Sequence, residues 1–229
     1  MKKVIICLLL CLCCAPMLAC KKTKSGINLS DYVIEERDNL FTANDDLYFA
    51  TLSTGMREEN YNFDGVVGDK VEFGVLSFMR IDSNPLADDK YTYQITCGEE
   101  VLTGFLEKSP VDNSYTIDLN KSIGAEGEIE LVVGFTGYTF KAKMENVSNG
   151  FEIDKTKALE IADNQLCDNI KNLVSNKNNK IELVMKILKD NSSTEIKNYF
   201  WYVGVVSTSG ETLGILINAN TGDVVAKKV

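Results

Sequence analysis

Residues 138–174 read YTFKAKMENVSNGFEIDKTKALEIADNQLCDNIKNLV, and the spacing of apolar side chains changes partway through them. In the first ten, Tyr138, Phe140, Ala142, Met144 and Val147 roughly mark one side against Lys141, Lys143 and Glu145. That is the period of two of a half-buried strand. After Gly150 the period lengthens. Ala158, Leu159, Ala162, Leu166, Ile170 and Leu173 recur three and four apart, which places them on one face of a helix. Asp154 stands ahead of them as an N-cap, a carboxylate that accepts a free amide of the first turn. The chain is therefore read as α+β, with strands before this stretch and a helix that opens a second unit.

Working back towards the N-terminus, the strand period persists. Residues 47–54, 70–80, 90–97, 100–108, 114–119 and 128–135 are rich in Val, Ile, Thr, Tyr or Phe, with turn residues between them. Only Gly98, Glu99 and Glu100 separate Cys97 from Val101, so those two strands form a tight hairpin. Many short strands with frequent turns predict an antiparallel β-sandwich over residues 31–150, immunoglobulin-like or fibronectin-like. No inter-sheet Cys pair or core Trp marks a true immunoglobulin domain. Residues 31–40 are charged and are read as room for a short helical turn.

Beyond the helix, residues 180–189, 198–207, 212–218 and 223–228 read as strands, with Gly222 placed where a positive φ is needed. The segments IDKTKALEIAD, YFWYVGVV and GILINANTGDVV give residues 151–229 a resemblance to the PepSY domain. The hairpin Asn218-Ala219-Asn220-Thr221-Gly222-Asp223-Val224 is the most specific part, with Asn218 where that family has Asp. The resemblance implies a helix packed on an antiparallel sheet, residence in a secreted or membrane-attached bacterial protein, and a proposed role in restraining peptidases.

The chain begins MKKVIICLLLCLCCAPMLACKK. Two lysines precede an uncharged run of 16 residues, Val4 to Ala19, short for the ~20 that a helix needs to cross a bilayer. It reads as a secretory signal. Ala19 and Cys20 resemble the exit of the bacterial lipoprotein signal, with Met17 and Leu18 departing from its commoner residues. That resemblance implies cleavage before Cys20 and acylation of its thiol, so that residues 1–19 are the signal and 20–30 a lipidated tether. The other readings are an ordinary signal cut after Ala19 and an uncleaved anchor.

Without residues 1–19 the chain keeps 22 basic against 33 acidic side chains, a net −11. Such an excess disfavours nucleic acid and anionic lipid as partners. Five of the seven cysteines belong to the signal or its exit, and Cys97 and Cys167 are expected as small buried hydrophobes rather than a bridge. The sequence has no histidine, which removes Ser-His-Asp and Cys-His catalysis and His-ligated zinc. The acidic pairs Asp45-Asp46, Asp88-Asp89 and Glu99-Glu100, and the segment Asp82–Asp89, lack calcium-loop spacing and read as solvated turns. No cofactor or metal is expected.

Two places suggest recognition. Ser53–Tyr61 reads as a loop in which Arg57 meets either a partner or a neighbouring Glu. Tyr199, Phe200, Trp201 and Tyr202 must alternate across one strand, one pair toward the helix and the other packed or presented on the open face. These four with Arg57 are the candidate recognition surface. The expected protein is a non-enzymatic, lipid-anchored envelope protein that binds an envelope or secreted protein. The alternatives are a carboxylate-dependent enzyme on wall polymers or peptides, and a solute- or metal-binding lipoprotein.

Overall fold

The computed structural model describes residues 26–82, 84–121, 123, 128–189 and 198–229. The signal, Cys20, the tether up to residue 25 and the Gly124/Gly127 turn lie outside those residues. The fold is mostly antiparallel β with one α-helix among the described residues, a β-rich α+β arrangement. In chain order it runs β1 (Val33–Asn44), β2 (Tyr48–Glu58), β3 (Lys70–Arg80), β4 (Thr92–Cys97), β5 (Glu100–Phe105), β6 (Glu107–Lys108), β7 (Tyr115–Leu119), β8 (Ile129–Phe135) and β9 (Tyr138–Asn146). Then come α1 (Lys155–Ser175), β10 (Ile181–Lys189), β11 (Tyr199–Ser207), β12 (Thr212–Asn218) and β13 (Val224–Lys228).

Local chemistry sets the boundaries where expected. Gly98 turns the β4–β5 hairpin with φ +59°, and Gly222 turns β12 into β13 with φ +77°. Asp154 caps α1 by accepting the Lys157 N–H at 2.8 Å. Residues 31–40 differ from expectation. A single 3-10 turn covers Leu29–Tyr32, and the charged residues that follow are strand β1. Their charges are satisfied across the fold rather than along a helix: Glu36 and Asp38 each lie 3.2 Å from Lys155 on α1. Burial works against the charge on Lys155, but Asp38 and Glu36 outweigh it and raise its pKa.

β1 ties the molecule together. It runs parallel to β10 from Val33 to Arg37 and antiparallel to β2 over nearly its whole length. One sheet therefore continues from β13 through β12, β11, β10, β1, β2, β3 and β7 to β6. A second layer, β5-β4-β8-β9, joins it where β9 meets β1 at Phe41 and Thr42.

Two cores follow. Phe41, Leu52, Leu76 and Phe78 meet Ile95, Leu131, Val133 and Phe140 between the layers of the sandwich. Ala158, Ala162, Leu166 and Ile170 of α1 pack on Leu183, Met185, Trp201, Val203, Ile215 and Ile217, with Leu29 and Val33 in the same core. The small Ala158 and Ala162 let the helix approach the sheet. Each fully buried Leu or Ile contributes about 1.5–3 kcal/mol.

Candidate functional site

The four consecutive aromatics separate as strand geometry requires. Tyr199 and Trp201 belong to the α1 core, where Trp201 Nε1 donates to the Ile153 carbonyl at 2.7 Å. They take no part in a surface. Phe200 and Tyr202 lie half-buried on the opposite face of the sheet, with Val184, Lys186, Leu188 and Leu216 in the same state.

Arg57 is not in a loop. Strand β2 continues through Glu58, and Arg57 pairs with Asp118 at 2.9 Å rather than with a glutamate. Strand register nevertheless brings its face into line with Tyr202. Phe73, Gly55, Arg37, Lys186, Tyr202 and Leu216 are successive cross-strand neighbours on β3, β2, β1, β10, β11 and β12. Arg57 is two residues from Gly55 and so shares that face. The Arg57 and Arg37 guanidinium groups lie 4.6 and 5.3 Å from the Phe73 ring centre, which leaves that ring fully buried.

Tyr202 lies along the sheet because its neighbours are glycines. A Cβ on Gly204 would stand 2.6 Å from the Tyr202 hydroxyl, and one on Gly214 3.4 Å from its ring. The Lys186 ammonium is 5.7 Å from the same ring centre. Burial, with Arg37 adding positive charge nearby, lowers the pKa of Lys186.

The β2–β3 loop, residues 59–69, forms a wall beside this face. Its underside is held by buried carboxylates: Glu182 accepts the N–H groups of Gly65 and Val66, and Glu58 accepts that of Gly68. Tyr61 and Phe63 remain exposed, their rings edge to face at 5.5 Å. Burial, then the charge of Glu35 and a hydrogen bond to it, raises the pKa of Tyr61.

Glu182 is itself held above the usual carboxyl range, mainly by burial. The Gly65 and Val66 donors oppose that shift, and the charges of Glu58 and Asp64 add to it. The folded chain thus holds this proton more tightly than the unfolded one, so stability falls as pH rises from the ordinary glutamate pKa through the raised one. Glu182→Gln keeps an acceptor oxygen and is expected to remove that fall in urea titrations across mildly acidic pH. Glu182→Ala is expected to cost about 1 kcal/mol, because the half-buried Gly65 N–H loses its acceptor while the exposed Val66 N–H keeps Asp64 at 2.9 Å.

The acidic turns do not converge. Asp82 is held by Arg80 and Asn84, Asp89 by Thr136, and Asp88 reaches the Tyr115 hydroxyl. Arg80, with help from Asn84, lowers the pKa of Asp82 although burial opposes it. Glu100 pairs with Lys121. Cys97, half-buried on β4, and Cys167, buried on α1, are not joined in a disulfide. A cleft of about 720 Å³ opens between residues 26–30 and the start of α1, with Glu36, Glu160 and Asp163 in its walls.

Comparison with protein-family models, with curated proteins and with solved structures finds no match for this chain. Arg37, Phe73 and Lys186 complete the face without a local sequence signal. The alternation in KIELVMKILK gives only that Lys186 and Met185 point to opposite sides.

Proposed function

We propose that this chain is a lipid-anchored, non-enzymatic protein of the bacterial cell envelope that binds another envelope or secreted protein. The observation that carries this reading is the row from Phe73 to Leu216. In an acidic chain it gathers Tyr202, Phe200 and aliphatic side chains with Arg37, Arg57 and Lys186 on one face. Tyr, Trp and Arg dominate the residues that anchor protein partners. Acylated Cys20 attaches the protein to the membrane in this reading, and two or more acyl chains make such an anchor stable.

The packing of α1 on the β10–β13 meander supports the PepSY-like reading of residues 151–229, in which the partner is a peptidase held in check. The two layers before it support an immunoglobulin-like or fibronectin-like sandwich. The cleft beside α1, lined by Glu160 and Asp163 and by the paired Glu36 and Lys155, favours a second reading in which it receives a small polar solute.

Cross-linking capture from the native envelope tests both. The double variant Phe200→Ala/Tyr202→Ala is expected to lose the captured partner while still unfolding in one cooperative transition, destabilised by only about 1 kcal/mol for each half-buried ring. Cys20→Ala is expected to release the protein from membranes. Capture that survives the double variant but not Glu160→Gln would transfer the function to the cleft.

A further inference from the structure

The outer edge of the second layer is β5, which pairs only with β4 among the described residues. An edge strand presents unpaired N–H and C=O groups, and proteins usually blunt such an edge with charge, proline or extreme shortness. β6, the edge of the other layer, follows that rule with two residues, Glu107 and Lys108. β5 does not. Between Val101 and Phe105 it reads VLTGF, with neither charge nor proline. Leu102 turns inward against the sandwich core, while Val101, Thr103 and Phe105 are exposed on the outer face, Val101 and Phe105 by 53% and 51%.

We propose that β5 is a self-association edge, on which a second copy of this chain pairs antiparallel about a twofold axis through Thr103. The sequence is complementary to itself in that register. Thr103 stands opposite its own copy, and Val101 opposite Phe105, twice. Thr–Thr and aromatic–β-branched pairs are the favourable cross-strand combinations. Both ends of β5 carry both signs. Glu99 and Glu100 lie at the hairpin end, Glu100 paired with Lys121, and Lys90, 4.0 Å from the Phe105 ring centre, lies with Glu107 and Lys108 at the other. Antiparallel pairing therefore sets no single-sign end against its like. The four-stranded layer doubles, and each copy's lone edge is covered by the other, as an isologous contact requires.

One strand pair buries less than the roughly 1,000 Å² of a stable interface, so the contact is weak in dilute solution. Copies held in one membrane meet at raised effective concentration, which favours pairing there. That last step rests on the Cys20 anchor; the pairing itself does not.

Cysteine cross-linking in the full anchored chain is the test. Thr103→Cys brings two thiols face to face on the axis and is expected to give a disulfide-linked dimer on oxidation. Val111→Cys, on a fully exposed loop, is expected to give none, and adding Val101→Lys to Thr103→Cys is expected to abolish the bond. The Cys20→Ala chain at raised concentration is expected to form the same bond, which keeps the pairing testable if the anchor fails. Thr103→Cys cross-linking no faster than Val111→Cys would overturn the proposal, as would cross-linking indifferent to Val101→Lys.

Discussion

A fragment that begins at residue 151 is expected to lose the sharp unfolding transition that the longer chain shows in urea. It lacks Leu29, Val33 and Leu40, all nearly completely buried in the α1 core. Each such residue contributes about 1.5–3 kcal/mol, so their loss removes a large part of the 5–15 kcal/mol that stabilises a typical domain. The fragment also exposes the edge of β10 that β1 covers from Val33 to Arg37. Restoration is the informative half of the experiment. The Val147 N–H donates to the Leu40 carbonyl at 2.9 Å, so residues 27–42 can be joined to residue 147 by a short Gly/Ser linker. That fusion is expected to recover the transition by circular dichroism. An unchanged midpoint in the bare fragment would mean that β1 contributes nothing to this core.

Adjacent residues of β11 should differ sharply on truncation. Trp201→Ala removes a fully packed indole and is expected to cost about 3–5 kcal/mol. It also strips the Ile153 carbonyl of its 2.7 Å donor. Trp201→Phe isolates that second effect, at about 1–3 kcal/mol. Tyr202→Ala removes a half-buried ring from the open face and is expected to cost about 1 kcal/mol. Urea midpoints at constant slope check all three. If Tyr202→Ala matched Trp201→Ala, Tyr202 would be a core residue and the recognition face would lose its centre.

Most elements were legible because their signals are local. The Gly98 hairpin, the Asp154 cap, the helix stripe and the Gly222 turn each need only a few neighbouring residues to be read. β1 was not legible. Glu35, Glu36, Arg37 and Asp38 interrupt its alternation: Glu35 and Arg37 pair with each other on one face at 2.6 Å, while Glu36 and Asp38 find Lys155 on α1, far away in the chain. Its parallel pairing with β10 joins residues far apart in the chain, which no window of sequence contains. The recognition face was half legible for the same reason. Alternation requires that Phe200 and Tyr202 part from Tyr199 and Trp201, but not which pair is covered. Arg57 was singled out for its neighbours in sequence, yet it is placed by its neighbours across the sheet, Phe73 and Asp118. Glu58 and Glu182, which hold the loop, carry no mark in the sequence that sets them apart from other acids.

The position of β1 also governs how the molecule bears load. A pull applied at the N-terminus passes the buried Leu29 and the short turn after it and then loads β1 along the strand axis. The hydrogen bonds to β2 and β10 lie across that axis, so the pull shears many of them together rather than peeling them one at a time. The first strand of the chain is thus the one seated deepest in the sheet, and tension applied ahead of it would reach both cores through it before any terminal strand gave way.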